Sequence, residues 1–177
     1  MKSKSALLVI DVQREYMEPE PFVTCDGDDL IAKCHMLIEA ARAAGVPVVY
    51  VKHIDETPPT DPTAADICSK IAPRPGEPVV EKRFPSAFFR TDLERTLKRL
   101  HTQTLYACGL ATFGCLNATV MCALCKGHDV TVVHDAHGAQ ALGEISVAQV
   151  IAQFESAWTA AGAGLLRASD VHFTGQV

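Results

Sequence analysis

Thr104-Leu105-Tyr106-Ala107-Cys108-Gly109-Leu110-Ala111-Thr112-Phe113-Gly114-Cys115-Leu116-Asn117-Ala118-Thr119 is the stretch on which the reading of this chain turns. Its opening apolar run predicts a buried strand. Leu116 to Lys126 then carries helix-compatible residues and stops at Gly127, a C-cap residue. Strand, glycine-bearing turn and helix in that order make one unit of an α/β fold. Cys115 is thereby placed at the first turn of a helix, just past the carboxyl end of a strand. Backbone N–H groups there lack intrahelical partners and carry partial positive charge. Such a position favours the thiolate, so the expectation is a lowered thiol pKa and a nucleophilic Cys115. Gly109 and Gly114 permit the tight approach that the turn needs. Gly109-x4-Gly114 imitates a phosphate loop, but Cys115-Leu116 stands where that motif needs Lys and then Ser/Thr. The other cysteines, Cys25, Cys34, Cys68, Cys108, Cys122 and Cys125, read as small buried hydrophobes. Cys122-x-x-Cys125 lies within the predicted helix and has no second pair to complete a zinc site.

Outward from this stretch the same alternation repeats. Ala6 to Ile10 is a continuous apolar run, read as a strand buried on both faces, and it ends in Asp11-Val12-Gln13. A polar loop through Pro19 and Pro21 follows. Asp28 or Asp29 caps a helix in which Leu30, Ile31, Cys34, Leu37, Ile38 and Ala41 recur at helical spacing, closed by Gly45 and Pro47. Val46 to Val51 is a second strand reaching Lys52, His53 and Asp55. Ile54 to Pro78 has no periodicity and holds six of the ten prolines, a stiffened loop that either folds over a site or makes a surface excursion. Val79-Val80-Glu81 is a short third strand with Lys82 at its end. Thr91-x-x-Glu94 reads as a capping box before Leu93, Leu97 and Leu100. Val130 to Val133 is a fifth strand ending in His134-Asp135-Ala136-His137. Val147, Val150, Ile151, Phe154 and Trp158 share one helix face, and Leu165-Leu166 is a last strand. Strands alternating with helices predict a parallel sheet covered on both sides, with ligands bound outside the carboxyl ends of strands where the order reverses. In the order 3-2-1-4-5-6, Asp11, Lys82 and Cys115 meet at that crevice.

The chain has 177 residues, suited to a single α/β domain spanning 1–177, with 48% apolar and 21% charged residues. A net charge of −5 and the absence of a Lys/Arg block argue against nucleic acid or an anionic membrane as partner. The apolar run Ala6 to Ile10 is too short for a signal h-region, and no run approaches transmembrane length. Seven cysteines without a secretion signal point to a reducing compartment, so a cytoplasmic location is expected.

A free thiol has a pKa near 8.5, so little is thiolate at neutral pH. In the expected arrangement Asp11 takes the thiol proton and later returns it to a leaving amine. An ammonium at Lys82 stabilises the thiolate and holds Asp11 in place. Backbone N–H groups of Ala111 and Cys115 form an oxyanion hole. Such a set performs acyl transfer: attack on an amide-like carbonyl, a thioester, then hydrolysis. Phe84, Phe88, Phe113 and Tyr16 are candidate walls of a compact substrate pocket.

Leu7-Leu8-Val9-Ile10-Asp11-Val12-Gln13, with Tyr16 where a Phe is usual, resembles the opening of the isochorismatase-like cysteine hydrolases. Lys82-Arg83-Phe84-Pro85-Ser86-Ala87-Phe88 is similar to that family's K-x-x-x-S-A-F. Gly109-Leu110-Ala111-Thr112 followed by Cys115 is similar to its nucleophile turn. The resemblance implies an Asp11–Lys82–Cys115 triad, a Rossmann-like three-layer α/β/α fold with a mostly parallel six-stranded sheet, and frequent homo-oligomers (dimers or tetramers). It also implies a cis peptide before Ala111. Two departures stand out. The family commonly has Asp one position after the Thr, where this chain has Phe113 and then Gly114, which changes the pocket wall. The nicotinamidase branch carries a metal site of one Asp and two His after strand 2. Here only His53 and Asp55 stand in that place, and the next histidine is His101. No metal and no cofactor are therefore expected. His134-x-x-His137 with Asp135 lacks a third spaced ligand and reads as structural, a Cys/His dyad with Cys115 being the other use weighed for it.

The resulting expectation is a metal-independent amidohydrolase acting on a small amide, carbamoyl or ureido compound. An isochorismatase-type vinyl ether hydrolase is the neighbouring alternative, though that chemistry does not need the cysteine. A non-catalytic oligomeric binding or scaffold protein is the alternative from another class, and it has no need of a complete triad.

Overall fold

A computed structural model describes residues 4–17, 27–55, 61 and 63–173. Cys25 and the loop through Pro19 and Pro21 lie outside the described residues. The strands are β1 (Lys4–Ile10), β2 (Val48–His53), β3 (Val79–Lys82), β4 (Thr102–Gly109), β5 (Asp129–His137) and β6 (Gly164–Leu166). They form one sheet in the order β3-β2-β1-β4-β5-β6, and every neighbouring pair is parallel. Order and direction follow the alternation read from the sequence. The helices are α1 (Arg14–Met17), α2 (Gly27–Ala43), α3 (Leu93–Arg99), α4 (Asn117–Cys125) and α5 (Val147–Ala160).

β1 shows why the sheet lies inside the molecule. Its successive side chains point to opposite faces, and both faces are dry. Ala6, Leu8 and Ile10 join one core with Leu93 and Leu97 of α3, Val120 of α4 and Trp158 of α5. Leu7 and Val9 join the other core with Leu30, Cys34, Leu37, Ile38 and Ala41 of α2. An uninterrupted apolar run is the sequence form of a strand covered on both sides. Truncating Leu8 to Ala in such a core costs about 2–5 kcal/mol. No helix among the described residues is long and apolar enough to cross a membrane.

Some local expectations give way. Thr91 and Glu94 form no capping box: Asp92 is the N-cap of α3 and its side chain accepts no capping bond. The Thr91 hydroxyl instead donates to the Ala87 carbonyl and accepts from the Leu93 N–H at 3.2 Å. Glu94 turns outward to Lys98 and Lys126. α2 begins at Gly27, ahead of Asp28 and Asp29. β5 continues through His134 to His137, so these histidines sit on a strand and not in a loop. Between Asp61 and Pro78 the chain forms one short helical turn, Ser69–Ile71. It runs beside the segment after β1, with Arg14, Glu15 and Cys68 N–H groups bonded to Asp66, Ala64 and Val12 carbonyls.

Candidate active site

The carboxyl ends of β1, β2 and β4 deliver the polar side chains of one cleft of about 320 Å³. Asp11, Tyr16, His53, Leu110, Phe113 and Cys115 are among its walls. β1 ends at Ile10, and Asp11 follows with φ of 51°. That left-handed conformation is one Asp tolerates better than most residues, and it turns the chain out of the sheet. Gly109 ends β4 with φ of 109°. A Cβ there would lie 2.0 Å from the Ile10 carbonyl oxygen, so only glycine fits. The close approach lets the Leu110 N–H bond to that same oxygen at 2.8 Å, which ties the Asp11 corner to the cysteine turn. The Leu110–Ala111 peptide is cis, as the resemblance implies.

Cys115 does not open a regular α-helix. Residues Thr112–Leu116 form a separate wider turn, with Gly114 at φ −115° and ψ −112°, and α4 starts only at Asn117. The expectation of a lowered thiol pKa also fails. Burial, and after it the Asp11 carboxylate, push the Cys115 thiol up to about 11, against the pull of the Lys82 ammonium. At neutral pH Cys115 is a thiol that needs a base.

Lys82 Nζ lies 2.7 Å from Asp11 Oδ2 and 3.0 Å from Cys115 Sγ, with its side chain sealed from solvent. A third acceptor, His53 Nδ1, stands 2.9 Å from the same ammonium. Asp11 Oδ1 has no hydrogen-bond partner among the described residues. Burial raises the Asp11 pKa, with the Lys82 charge and hydrogen bond working the other way. The Cys115 thiol faces this carboxylate, and a dry carboxylate of raised pKa beside a thiol is a good proton acceptor. The Ala111 N–H makes no backbone hydrogen bond among the described residues.

Asp11, His53 and Cys115 are also the group among the described residues whose ligand atoms lie within 4.8 Å of one another, the spacing of a metal's ligand shell. Lys82 Nζ is bonded to each of these three residues, so an ammonium does the work of a cation there. The Asp-His-His set of the nicotinamidase branch does not assemble. His101 directly precedes β4, at the amino end of the sheet, away from His53 at the carboxyl end of β2.

Of the residues read as substrate walls, Tyr16 and Phe113 line the cleft and Phe84 and Phe88 do not. Phe88 is buried in the core, under Lys126 and beside His128. Phe84 packs edge-on against Phe89 at the surface, with Arg90 over both rings. The K-x-x-x-S-A-F segment thus sets Lys82 behind the cleft, against Asp11 and Cys115, and spends its aromatics on packing. Beyond Asp55, the described residues of the 54–78 loop stay out of the cleft.

Sequence reasoning missed Glu155. From α5 it meets His134 Nδ1 and, at 3.1 Å, His137 Nε2. His137 Nδ1 is 2.9 Å from the Thr112 hydroxyl, which donates to the Gly138 carbonyl at 2.8 Å. This cluster anchors the start of the cysteine turn, and it holds His134 and His137 to Glu155 and Thr112 rather than to Cys115. The only advance signal was a carboxylate one step beyond Phe154 on an otherwise apolar helix face.

Residues 5–157 match the model of the isochorismatase domain family. An uncharacterized isochorismatase family protein of Bacillus subtilis, YddQ, is 32% identical over 139 residues, covering 75% of this chain and 76% of that protein. The N-carbamoylsarcosine amidase of an Arthrobacter species is 33% identical over 147 residues, covering 71% of this chain but only 56% of the amidase. The crystal structure of an isochorismatase from Pseudomonas putida superposes with a TM-score of 0.84 at 31% identity, over 94% of this chain and 89% of that one.

Proposed function

The chain belongs to the isochorismatase family of hydrolases, and from that premise we propose that it hydrolyses a C–N bond in a small amide, carbamoyl or ureido compound, with Asp11, Lys82 and Cys115 as the reacting set. The observation that carries this reading is the sealed Lys82 ammonium bonded to both Asp11 and Cys115, with the Asp11 carboxylate placed to accept from the Cys115 thiol. The amidase relative supports the choice of bond.

The chemistry follows from the proton positions. Cys115 Sγ attacks the substrate carbonyl carbon as Asp11 takes the thiol proton, and the C=O electron pair moves onto oxygen. The Ala111 and Cys115 backbone N–H groups receive that oxyanion. The tetrahedral species collapses, the C–N bond breaks, and Asp11 passes its proton to the departing nitrogen. A thioester remains on Cys115. Water then attacks it with Asp11 again as base, releasing the acid and restoring the thiol. Lys82 stays protonated throughout and stabilises first the Asp11 carboxylate and then the sulfur as negative charge builds there. Phe113 and Leu110 give the cleft an apolar wall suited to a compact substrate.

The test is ammonia release from a panel of small amides, carbamoyl compounds and ureides, run with wild type and Cys115→Ala. Turnover by wild type that vanishes in a folded Cys115→Ala protein is the expected result. A Cys115→Ala protein with wild-type turnover would sink the nucleophile assignment.

A further inference from the structure

An ammonium group has three N–H donors and no acceptor. Lys82 Nζ has three acceptors around it, at 2.7 Å to Asp11 Oδ2, 2.9 Å to His53 Nδ1 and 3.0 Å to Cys115 Sγ. With the side chain fully buried, each donor has one partner. Two of the partners belong to the reacting set. The third, His53, has been given no role so far.

From these contacts we infer that His53 is the positioning residue of Lys82: a neutral Nδ1 acceptor that fixes the ammonium between Asp11 and Cys115. The inference rests on the reading of Asp11, Lys82 and Cys115 as the reacting set.

The fold prepares His53 for this task. His53 and Lys82 are register partners on the parallel strands β2 and β3, so their side chains leave the sheet on the same face. The backbone of His53 is clamped by the fully buried Gln13. Gln13 Oε1 accepts the His53 N–H at 2.6 Å, and Gln13 Nε2 donates to the His53 carbonyl at 2.9 Å. If Nδ1 accepts from an ammonium, the ring proton is on Nε2, and Nε2 faces Asp55 Oδ1 at 3.3 Å. The tautomer needed at Lys82 is therefore the one that Asp55 supports.

The test compares His53→Leu, which has no acceptor, with His53→Asn, whose Oδ1 can stand where Nδ1 stands. The readout is the rate of iodoacetamide alkylation at Cys115, followed by peptide mass mapping at one fixed pH, with Lys82→Met as reference. Alkylation needs no substrate, and it reads the nucleophile directly. The Leu variant should be alkylated roughly tenfold to a hundredfold more slowly than wild type, as expected for a misplaced neighbouring group. The Asn variant should recover most of that loss. Equal rates in the Leu and Asn variants, at the wild-type or the impaired level, would overturn the inference. If Lys82→Met leaves Cys115 alkylation at the wild-type rate, the reacting set itself fails and the role of His53 falls with it.

Discussion

Asp11 and Glu155 are both buried carboxylates near the cysteine turn, one lining the cleft and one outside it, yet Asp11 ends with a raised pKa and Glu155 with a lowered one. For both groups burial is the largest influence and pushes upward. At Glu155 the hydrogen bonds with His137 and His134 outweigh it. At Asp11 the Lys82 ammonium, even with the Cys115 thiol, does not. Glu155 takes both histidine bonds on Oε1, so what separates a strut from a base here is the strength of the partners against burial, not the number of oxygens met. The two residues show how one fold obtains both from the same functional group.

The sharpest way to break that comparison is to neutralise each carboxylate in turn. Asp11→Asn should lower turnover by about 10²–10⁴-fold, the usual worth of a general acid–base group. Glu155→Gln should leave most turnover in place and lower the unfolding free energy by roughly 1–3 kcal/mol, the cost of a disturbed buried hydrogen-bond cluster. Turnover and denaturant melts on the same preparations decide it. A Glu155→Gln protein as inactive as Asp11→Asn would mean that both carboxylates do chemistry.

A second measurement concerns the thiol. Because the Asp11 carboxylate raises the Cys115 pKa and the Lys82 ammonium lowers it, Asp11→Asn should shift the titration below about 11 and Lys82→Met should shift it above. Ultraviolet thiolate absorbance, with Cys115→Ala subtracted for the other cysteines, reads both. No shift in the Lys82 variant would confine Lys82 to holding substrate.

Stability in acid offers a smaller effect. The folded pKa of Glu155 lies below its ordinary value of 4.5. Its contribution is therefore full above that value and is lost as pH falls through the folded pKa. Glu155→Gln should flatten the acid limb of the stability curve. An acid limb identical in both proteins would show that the two histidines hold Glu155 no better than water does.

The smallest expected effect is none. Turnover should survive exhaustive chelation, because the acceptors nearest to a metal shell already surround Lys82 Nζ. Loss with EDTA and recovery with zinc or manganese would replace the ammonium by a metal in the account of Cys115.

Much of this architecture is legible in the chain itself. The run Ala6 to Ile10 announces a strand dry on both faces, and it is buried throughout. The strand–helix alternation is enough to place the ends of β1, β3 and β4 at one crevice, where Asp11, Lys82 and Cys115 do meet. Gly109 is legible too, because a turn that tight excludes any Cβ. Such features depend on the period of apolar residues and on backbone sterics, which are properties of short stretches.

Other features became visible only with the chain folded. A thiol at a helix start reads locally as acidic, but residues distant in sequence bury Cys115 and set a carboxylate against it, and its pKa rises. Phe84 and Phe88 follow Lys82 closely, yet strand and loop geometry turns them away from the cleft. His53 and Glu155 carry no local mark of their roles, because each is defined by a partner from another element, Lys82 in one case and His134 and His137 in the other. Backbone pattern and steric fit are local quantities that a sequence displays directly. Burial, electrostatic neighbours and hydrogen-bond partners are sums over the whole fold, so here the tertiary structure decided the charge, the wall and the support of the site.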